Sequence, residues 1–240
     1  MGSEPYGKDF TAIYAERWDG WVRLAWPLIV PRLPAGGSRW LDLCCGSGTL
    51  LRMAAGLGYA ATGVDRSPHQ LLHAARKAPA ARLVQGDVTR LALRERFDVV
   101  TCLFDSLNYL TSLADLDRAL GGARRHLAPG GVFLFDIKTP AGFRRERMRI
   151  YREPDRVTVF DPRFDEKRKV QTLSVTGFVR EGTLFRRFDE EHVQRGYEHA
   201  LLAQRLDRAG LLPAASDFDT GGEIVAGSGR LFFVCRPRPD

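Results

Sequence analysis

LDLCCGSGTL, residues 41–50, carries an apolar, strand-like run straight into a Gly-Ser-Gly turn and on toward a helix. A strand that runs through such a turn into a helix presents free backbone amides and the positive end of a helix dipole to a ligand. The turn itself is Cys44-Cys45-Gly46-Ser47-Gly48. Glycine at 46 and 48 permits positive φ and lets a ligand approach the backbone, which a side chain would hinder. One pair of glycines is a weak signal, so the reading depends on what lies on either side.

Outward from the loop, strand-like and helix-like patterns alternate over residues 38–140. The runs Trp40 to Cys44, Ala60 to Val64, Arg82 to Gln85, Phe97 to Cys102 and Val132 to Ile137 are short and continuously apolar, as in parallel strands covered on both faces. Ser67-Pro68 supplies an N-cap and a first-turn proline for one helix, and Leu113 to Leu127 reads as another that stops at Pro129-Gly130-Gly131. Beyond residue 150, RVTVFD, KVQTLSVTGFV and TLFRRFDEEHV alternate with period two and are separated by turn-like stretches, which predicts an inserted antiparallel sheet. A helix from Glu198 to Ala209, a strand near Ala215 to Phe218 and a last strand at Arg230 to Cys235 complete an α/β plan. The expected organisation is a Rossmann-like core over 1–140 plus 196–240, residues 1–30 forming a helical cover, with an antiparallel β lid over 141–195.

Two further strand ends carry acids. Gly63-Val64-Asp65-Arg66 places a carboxylate 17 residues after Gly48, where it can accept from both hydroxyls of a ribose. Val84-Gln85-Gly86-Asp87-Val88 places a second one where it can accept from an exocyclic adenine amine. Together the three loop ends describe an adenosine pocket. A dinucleotide would need a third glycine for its pyrophosphate, and Leu51 stands there, which disfavours an NAD enzyme.

These residues resemble the first motif of the class I S-adenosylmethionine-dependent methyltransferases: Asp42, Gly46 and Gly48 match its acid and alternating glycines, and Cys44 replaces the first glycine. The resemblance extends to FDVVTCLFDSLNYL (97–110) and HLAPGGVFLFDI (126–137), and FDEEHVQRGY (188–197) is similar to uncharacterised bacterial methyltransferases and to deoxyaminosugar N,N-dimethyltransferases. It implies a seven-stranded sheet, mostly parallel with the last strand antiparallel, beneath the lid. It implies S-adenosyl-L-methionine as cofactor, held by Tyr14, Asp42, Cys44, Gly46, Ser47, Gly48, Asp65, Arg66, Gly86, Asp87, Val88, Leu103 and Phe104. Ser106 and Asn108, with Asp105, would face the substrate. Blander roles stand beside these: Asp42 and Asp87 can cap loops, Tyr14 can simply pack among the aromatic residues of the N-terminus, and His126 suits a helix C-terminus.

Methyl transfer from a sulfonium needs alignment and exclusion of water, and a base only when the nucleophile is protonated. Asp105 and His192 are the candidates. The expected reaction is methylation of an oxygen or nitrogen of a small molecule. RNA methylation and non-catalytic S-adenosylmethionine binding are the alternatives.

The fourth strand lacks an Asn-Pro-Pro-Tyr-type continuation, which argues against a nucleic-acid base as acceptor. The net charge of +7 favours anions in general, but only five of 36 basic residues are lysines, a bias that fits base composition as well as function. FRRERMRIYRE (143–153) concentrates five arginines and reads as a solvated face or an anion contact. The four cysteines lack metal or redox spacing, so reduced core residues, no metal and a cytoplasmic location are expected. No membrane segment is apparent, and the protein is expected as a monomer or homodimer.

Overall fold

The computed structural model describes residues 6–14 and 18–239, with the side chains of residues 13, 14, 18 and 19 outside the description. Seven strands form one sheet: β1 (Arg39–Leu43), β2 (Ala60–Asp65), β3 (Arg82–Gln85), β4 (Phe97–Cys102), β5 (Leu127–Lys138), β10 (Leu211–Asp217) and β11 (Arg230–Pro237). Their order is β10-β11-β5-β4-β1-β2-β3. Strands β1 to β5 pair in parallel, whereas β11 runs antiparallel to both β5 and β10. The order reverses beside β1, so β1 and β4 diverge at their carboxyl ends and leave the crevice in which open α/β sheets bind ligands.

Helices α1 (Lys8–Tyr14) and α2 (Trp18–Ile29) precede the sheet, α3 (Thr49–Gly56), α4 (Pro68–Lys77) and α5 (Leu113–His126) connect its parallel strands, α6 (Pro140–Arg144) follows β5, and α7 (His199–Arg208) precedes β10. Ser67 and Ser112 cap α4 and α5 by accepting from the backbone N–H of Gln70 and Asp115. The sheet is apolar on both faces. One buried layer includes Phe133, Phe135 and Phe233, with the Phe135 and Phe233 rings stacked 4.7 Å apart; the other includes Trp40, Leu51 and Phe232. The expected stop at Pro129-Gly130-Gly131 is instead absorbed into β5, whose register against β4 shifts between Phe97 and Val99. An irregular strand start accommodates the breaker residues.

The alternating segment forms a separate four-stranded antiparallel sheet, in the order β6 (Arg149–Glu153), β7 (Arg156–Asp165), β8 (Val170–Glu181), β9 (Leu184–Arg195). Its return to the core is pinned by Asn108, whose amide donates to the carbonyls of Lys138 and Arg195 and accepts from the Lys138 N–H. Asn108 is therefore a structural tie between the two sheets and does not face a substrate. The arginine-rich segment is also largely structural. Arg144 binds Glu166, Arg145 reaches the Gly227 carbonyl and Arg147 the carbonyl of Arg144, so three of its five guanidiniums hold neighbouring chain.

Candidate active site

Below the carboxyl ends of β1 to β4 lies a cavity of about 530 Å³, of a size that suits a small-molecule ligand. Twelve of the residues singled out in the sequence line it: Asp42, Cys44, Gly46, Ser47, Asp65, Arg66, Gly86, Asp87, Val88, Leu103 and Phe104 from the expected cofactor set, and Ser106 from the residues expected to face the substrate. Asp65 is oriented from both sides, one carboxylate oxygen accepting from Gly46 N–H at 2.8 Å and the other from Ser67 N–H at 2.9 Å. Burial raises its proton affinity, and these two amides oppose that rise. Each oxygen retains a lone pair for a hydroxyl donor.

Gly46 has φ +52°, and a Cβ there would meet nothing closer than the Gln70 side-chain oxygen at 3.8 Å. Its openness therefore faces the cavity. Gly48 differs: a Cβ would stand 2.9 Å from Ala74, so this glycine serves the packing of α3 on α4 and does not line the cavity. Cys44, which replaces a glycine of the resembled motif, adopts φ +56°, a left-handed conformation that disfavours side chains.

Asp42 is buried and accepts from the Thr101 hydroxyl at 2.7 Å, while Thr101 in turn accepts from the Trp40 indole. Burial pushes its carboxyl up to about 7, the Thr101 bond opposes this, and the nearby Asp65 charge adds to it. Asp87 lines the cavity and also caps the 3₁₀ turn Val88–Arg90, accepting from the N–H and hydroxyl of Thr89. Gln70, which the sequence reading did not single out, is buried in the lining, and its carbonyl oxygen has no hydrogen-bond partner among the described residues. An oriented carboxylate, an open glycine and an orphaned acceptor fit a polar, hydroxyl-bearing ligand of the adenosine kind.

Asp105 departs from expectation. Burial opposes its ionisation, but the Arg230 guanidinium and the Lys138 ammonium, aided by the Gln194 amide, outweigh that and hold its carboxyl well below the usual range. It does not line the cavity. Its neighbour in the network is Asp136, fully buried on β5, which accepts from the N–H groups of Phe104 and Asp105 and pairs with Arg230. Phe104 and Asp105 have φ +61° and +47°, and this network holds the turn after β4 in that conformation. Asp105 is thus a structural anion and a poor base.

His192 also differs from a simple base, because its side chain is 1% exposed and stands behind the cavity wall. On β9 the residues Glu190, His192 and Gln194 alternate with exposed ones and are all buried. His192 Nε2 lies 3.1 Å from Glu190, and Nδ1 lies 2.9 Å from the Tyr109 hydroxyl. Tyr109 continues to the Tyr6 hydroxyl at 3.0 Å, and both tyrosines line the cavity. Burial raises the proton affinity of both phenols, so they remain neutral.

The N-terminal segment is strapped at Tyr6 and Gly7. Their N–H groups donate to Glu190, while the Tyr6 carbonyl accepts from Ser67 before α4. Among the described residues of this segment Tyr6 lines the cavity, and the Phe10 ring centroid lies 4.5 Å from that of His192. The Tyr14 side chain lies outside the described residues. His126 is buried beside the carbonyls of Gly122 and Leu93, a structural brace.

Comparison with known proteins agrees with this geometry. Residues 41–131 match the family described as methyltransferase domain. The chain is 30% identical over 91% of its length to YqeM of Bacillus subtilis (strain 168), a protein with a provisional methyltransferase name, and covers 88% of it. It is 32% identical over 54% of its length to the dTDP-3-amino-3,4,6-trideoxy-α-D-glucopyranose N,N-dimethyltransferase of Streptomyces venezuelae, and covers 51% of that protein. A crystal structure of an S-adenosylmethionine-dependent methyltransferase from Clostridium acetobutylicum superposes with a TM-score of 0.81 at 24% identity, covering 96% of this chain and 98% of that one. Streptomyces venezuelae DesVI superposes with a TM-score of 0.72 at 26% identity, covering 96% and 93%.

Proposed function

The chain belongs to the S-adenosylmethionine-dependent methyltransferases, and from that premise we propose that it methylates a nitrogen of a small, polar molecule. The observation that carries this reading is the charge of the cavity wall. Among the described residues, its acidic members are Asp42, Asp65, Asp87, Asp115 and Glu191, and its one cationic member is Arg66. A wall of this charge attracts cations, a protonated amine among them. The end nearest the lid, with Tyr109, Thr111, Asp115 and Glu191, is suited to an ammonium surrounded by hydroxyl-bearing substituents. The relatives named for sugar N,N-dimethylation support an amine over a hydroxyl acceptor.

In this reading S-adenosylmethionine supplies a methyl group already activated by its sulfonium. Asp65 and Gln70 hold the ribose, Asp87 and Val88 face the adenine, and the Cys44-to-Ser47 turn and Asp42 meet the amino-acid end. Tyr6 and β9 exclude water above the reacting centre, which is the main task in an in-line displacement. We assign the reaction to the cytoplasm; four free cysteines accord with a reducing compartment. Among the described residues no helix is long and apolar enough to cross a membrane.

The test is calorimetric titration with S-adenosylhomocysteine and, in parallel, NAD, followed by tritiated methyl transfer to a panel. The panel holds dTDP-3-amino-3,6-dideoxy-α-D-glucopyranose, simple aminosugars, their hydroxyl counterparts and bulk tRNA. Label in the amines alone supports the reading. Label in tRNA or in the hydroxyl compounds overturns the acceptor class, and cofactor binding without any transfer points to a non-catalytic binding protein.

A further inference from the structure

The buried array on β9 carries more than packing. A histidine that is 1% exposed, with a glutamate 5% exposed at one ring nitrogen and a tyrosine at the other, costs desolvation that a leucine at this place would avoid. The array is also continuous with the cavity through two neutral hydroxyls in series, Tyr109 and Tyr6. We propose that Tyr109 is a catalytic residue whose hydroxyl relays the acceptor's proton to His192, with Glu190 as the positioning residue that fixes the imidazole. This rests on the reading of the cavity as an amine N-methylation site.

The direction of the relay follows from donor and acceptor roles. A carboxylate only accepts, so the proton of a neutral His192 resides on Nε2, facing Glu190. Nδ1 is then the acceptor for the Tyr109 hydroxyl, and the Tyr109 oxygen keeps a lone pair toward Tyr6 or a bound amine. An acceptor bound as an ammonium must lose one proton before its nitrogen can attack. Its N–H bond breaks and the electron pair stays on nitrogen. The proton passes to the Tyr109 oxygen as the proton of Tyr109 passes to Nδ1, leaving an imidazolium opposite the Glu190 carboxylate. Tyr109 begins and ends neutral, in keeping with burial that disfavours a phenolate. The groups nearest the ring are Glu190 from its own strand, Tyr109 from the turn after β4, and Tyr6 and Phe10 from the N-terminal segment. The Glu190 carboxylate also receives the N–H groups of Tyr6 and Gly7, so the N-terminal segment helps orient the carboxylate that meets the imidazole.

The arrangement is tested first without any acceptor. In ¹⁵N-labelled protein saturated with S-adenosylhomocysteine, the ring signals of His192, assigned by their loss in His192→Asn among the five histidines, should show a neutral ring protonated on Nε2. Glu190→Gln should remove that fixed tautomer, and Glu190→Asp should retain it. A ring protonated on Nδ1 overturns the relay, because Nδ1 would have no lone pair for the proton.

The second arm uses the amine of the panel that turns over fastest. Tyr109→Phe should lower kcat on the order of 10²-fold with KM within about threefold. Glu190→Gln should lower kcat by about 10-fold, and Glu190→Asp should restore most of it. A Tyr109→Phe enzyme that keeps more than half of kcat, or loses only in KM, overturns the proposal. Affinity for S-adenosylhomocysteine is measured on each variant. Its collapse in the unmodified protein would instead refute the cofactor reading, so the two failures are distinguishable.

Discussion

The seven-stranded sheet and the four-stranded sheet bury their polar groups for different ends. In the first, Asp136, Asp105 and Arg230 form a network whose acceptors are spent on one another, on Lys138 and the Gln194 amide, and on the backbone of the turn after β4. In the second, Glu190 and His192 lead outward through Tyr109 to the cavity. One buried network fixes a conformation and the other ends at the cavity. A perturbed or buried acid is therefore a poor guide to chemistry unless its chain of partners reaches open space.

The strongest test of this contrast is Asp136→Ala, which leaves Arg230 with only part of its compensation and frees two N–H groups. Breaking such a buried pair should cost about 3–5 kcal/mol in urea unfolding; a cost below about 1 kcal/mol would mean the network does not hold the turn. Next is Asp65→Ala, which removes the oriented carboxylate while leaving both sheets intact. S-adenosylhomocysteine binding should weaken by about 2–4 kcal/mol, and a loss under about threefold would refute the ribose assignment.

Asp42 tests the first sheet through pH. Its carboxyl lies near 7 in the folded chain against 3.8 as the ordinary value. A folded value raised in this way favours folding fully below about pH 4, and that contribution is lost as pH rises from there through 7. Comparison of unfolding curves with those of Asp42→Asn should show this fall only in the parent protein. Equal pH slopes in the two would remove Asp42 from the account. The smallest effect belongs to the lid. At Gly177 a Cβ would come within 2.0 Å of the Phe188 ring, so Gly177→Ala should cost about 1–3 kcal/mol and raise hydrogen exchange in β7 to β9. S-adenosylhomocysteine affinity should stay within about threefold; a larger drop would show that lid packing and cofactor site are one unit.

Much of the cavity lining was legible because its residues sit at the ends of consecutive strands, where a strand, a turn and a helix start are local signals. Asp65, Gly46 and Asp87 were found in that way. Gly48 was misread in part, because a ligand cradle and a close helix crossing both ask for glycine. Asp105 was misread because its role is set by Lys138, Gln194 and Arg230, residues 33 to 125 positions away. Tyr6, Tyr109 and Glu190 were missed; alternation along β9 could have linked Glu190 to His192, since both fall on one face of the strand.

The sequence by itself determined the parallel sheet, the antiparallel sheet and the strand-end loops that line the cavity, because strand and helix periodicity and turn chemistry act between neighbours in the chain. Only the tertiary structure decided which aromatic residue enters the cavity and which buried acid is inert. It also decided which hydroxyl the histidine meets. Those outcomes rest on contacts between residues 33 to 184 positions apart, whose free energy depends on desolvation and hydrogen-bond geometry that no local pattern encodes.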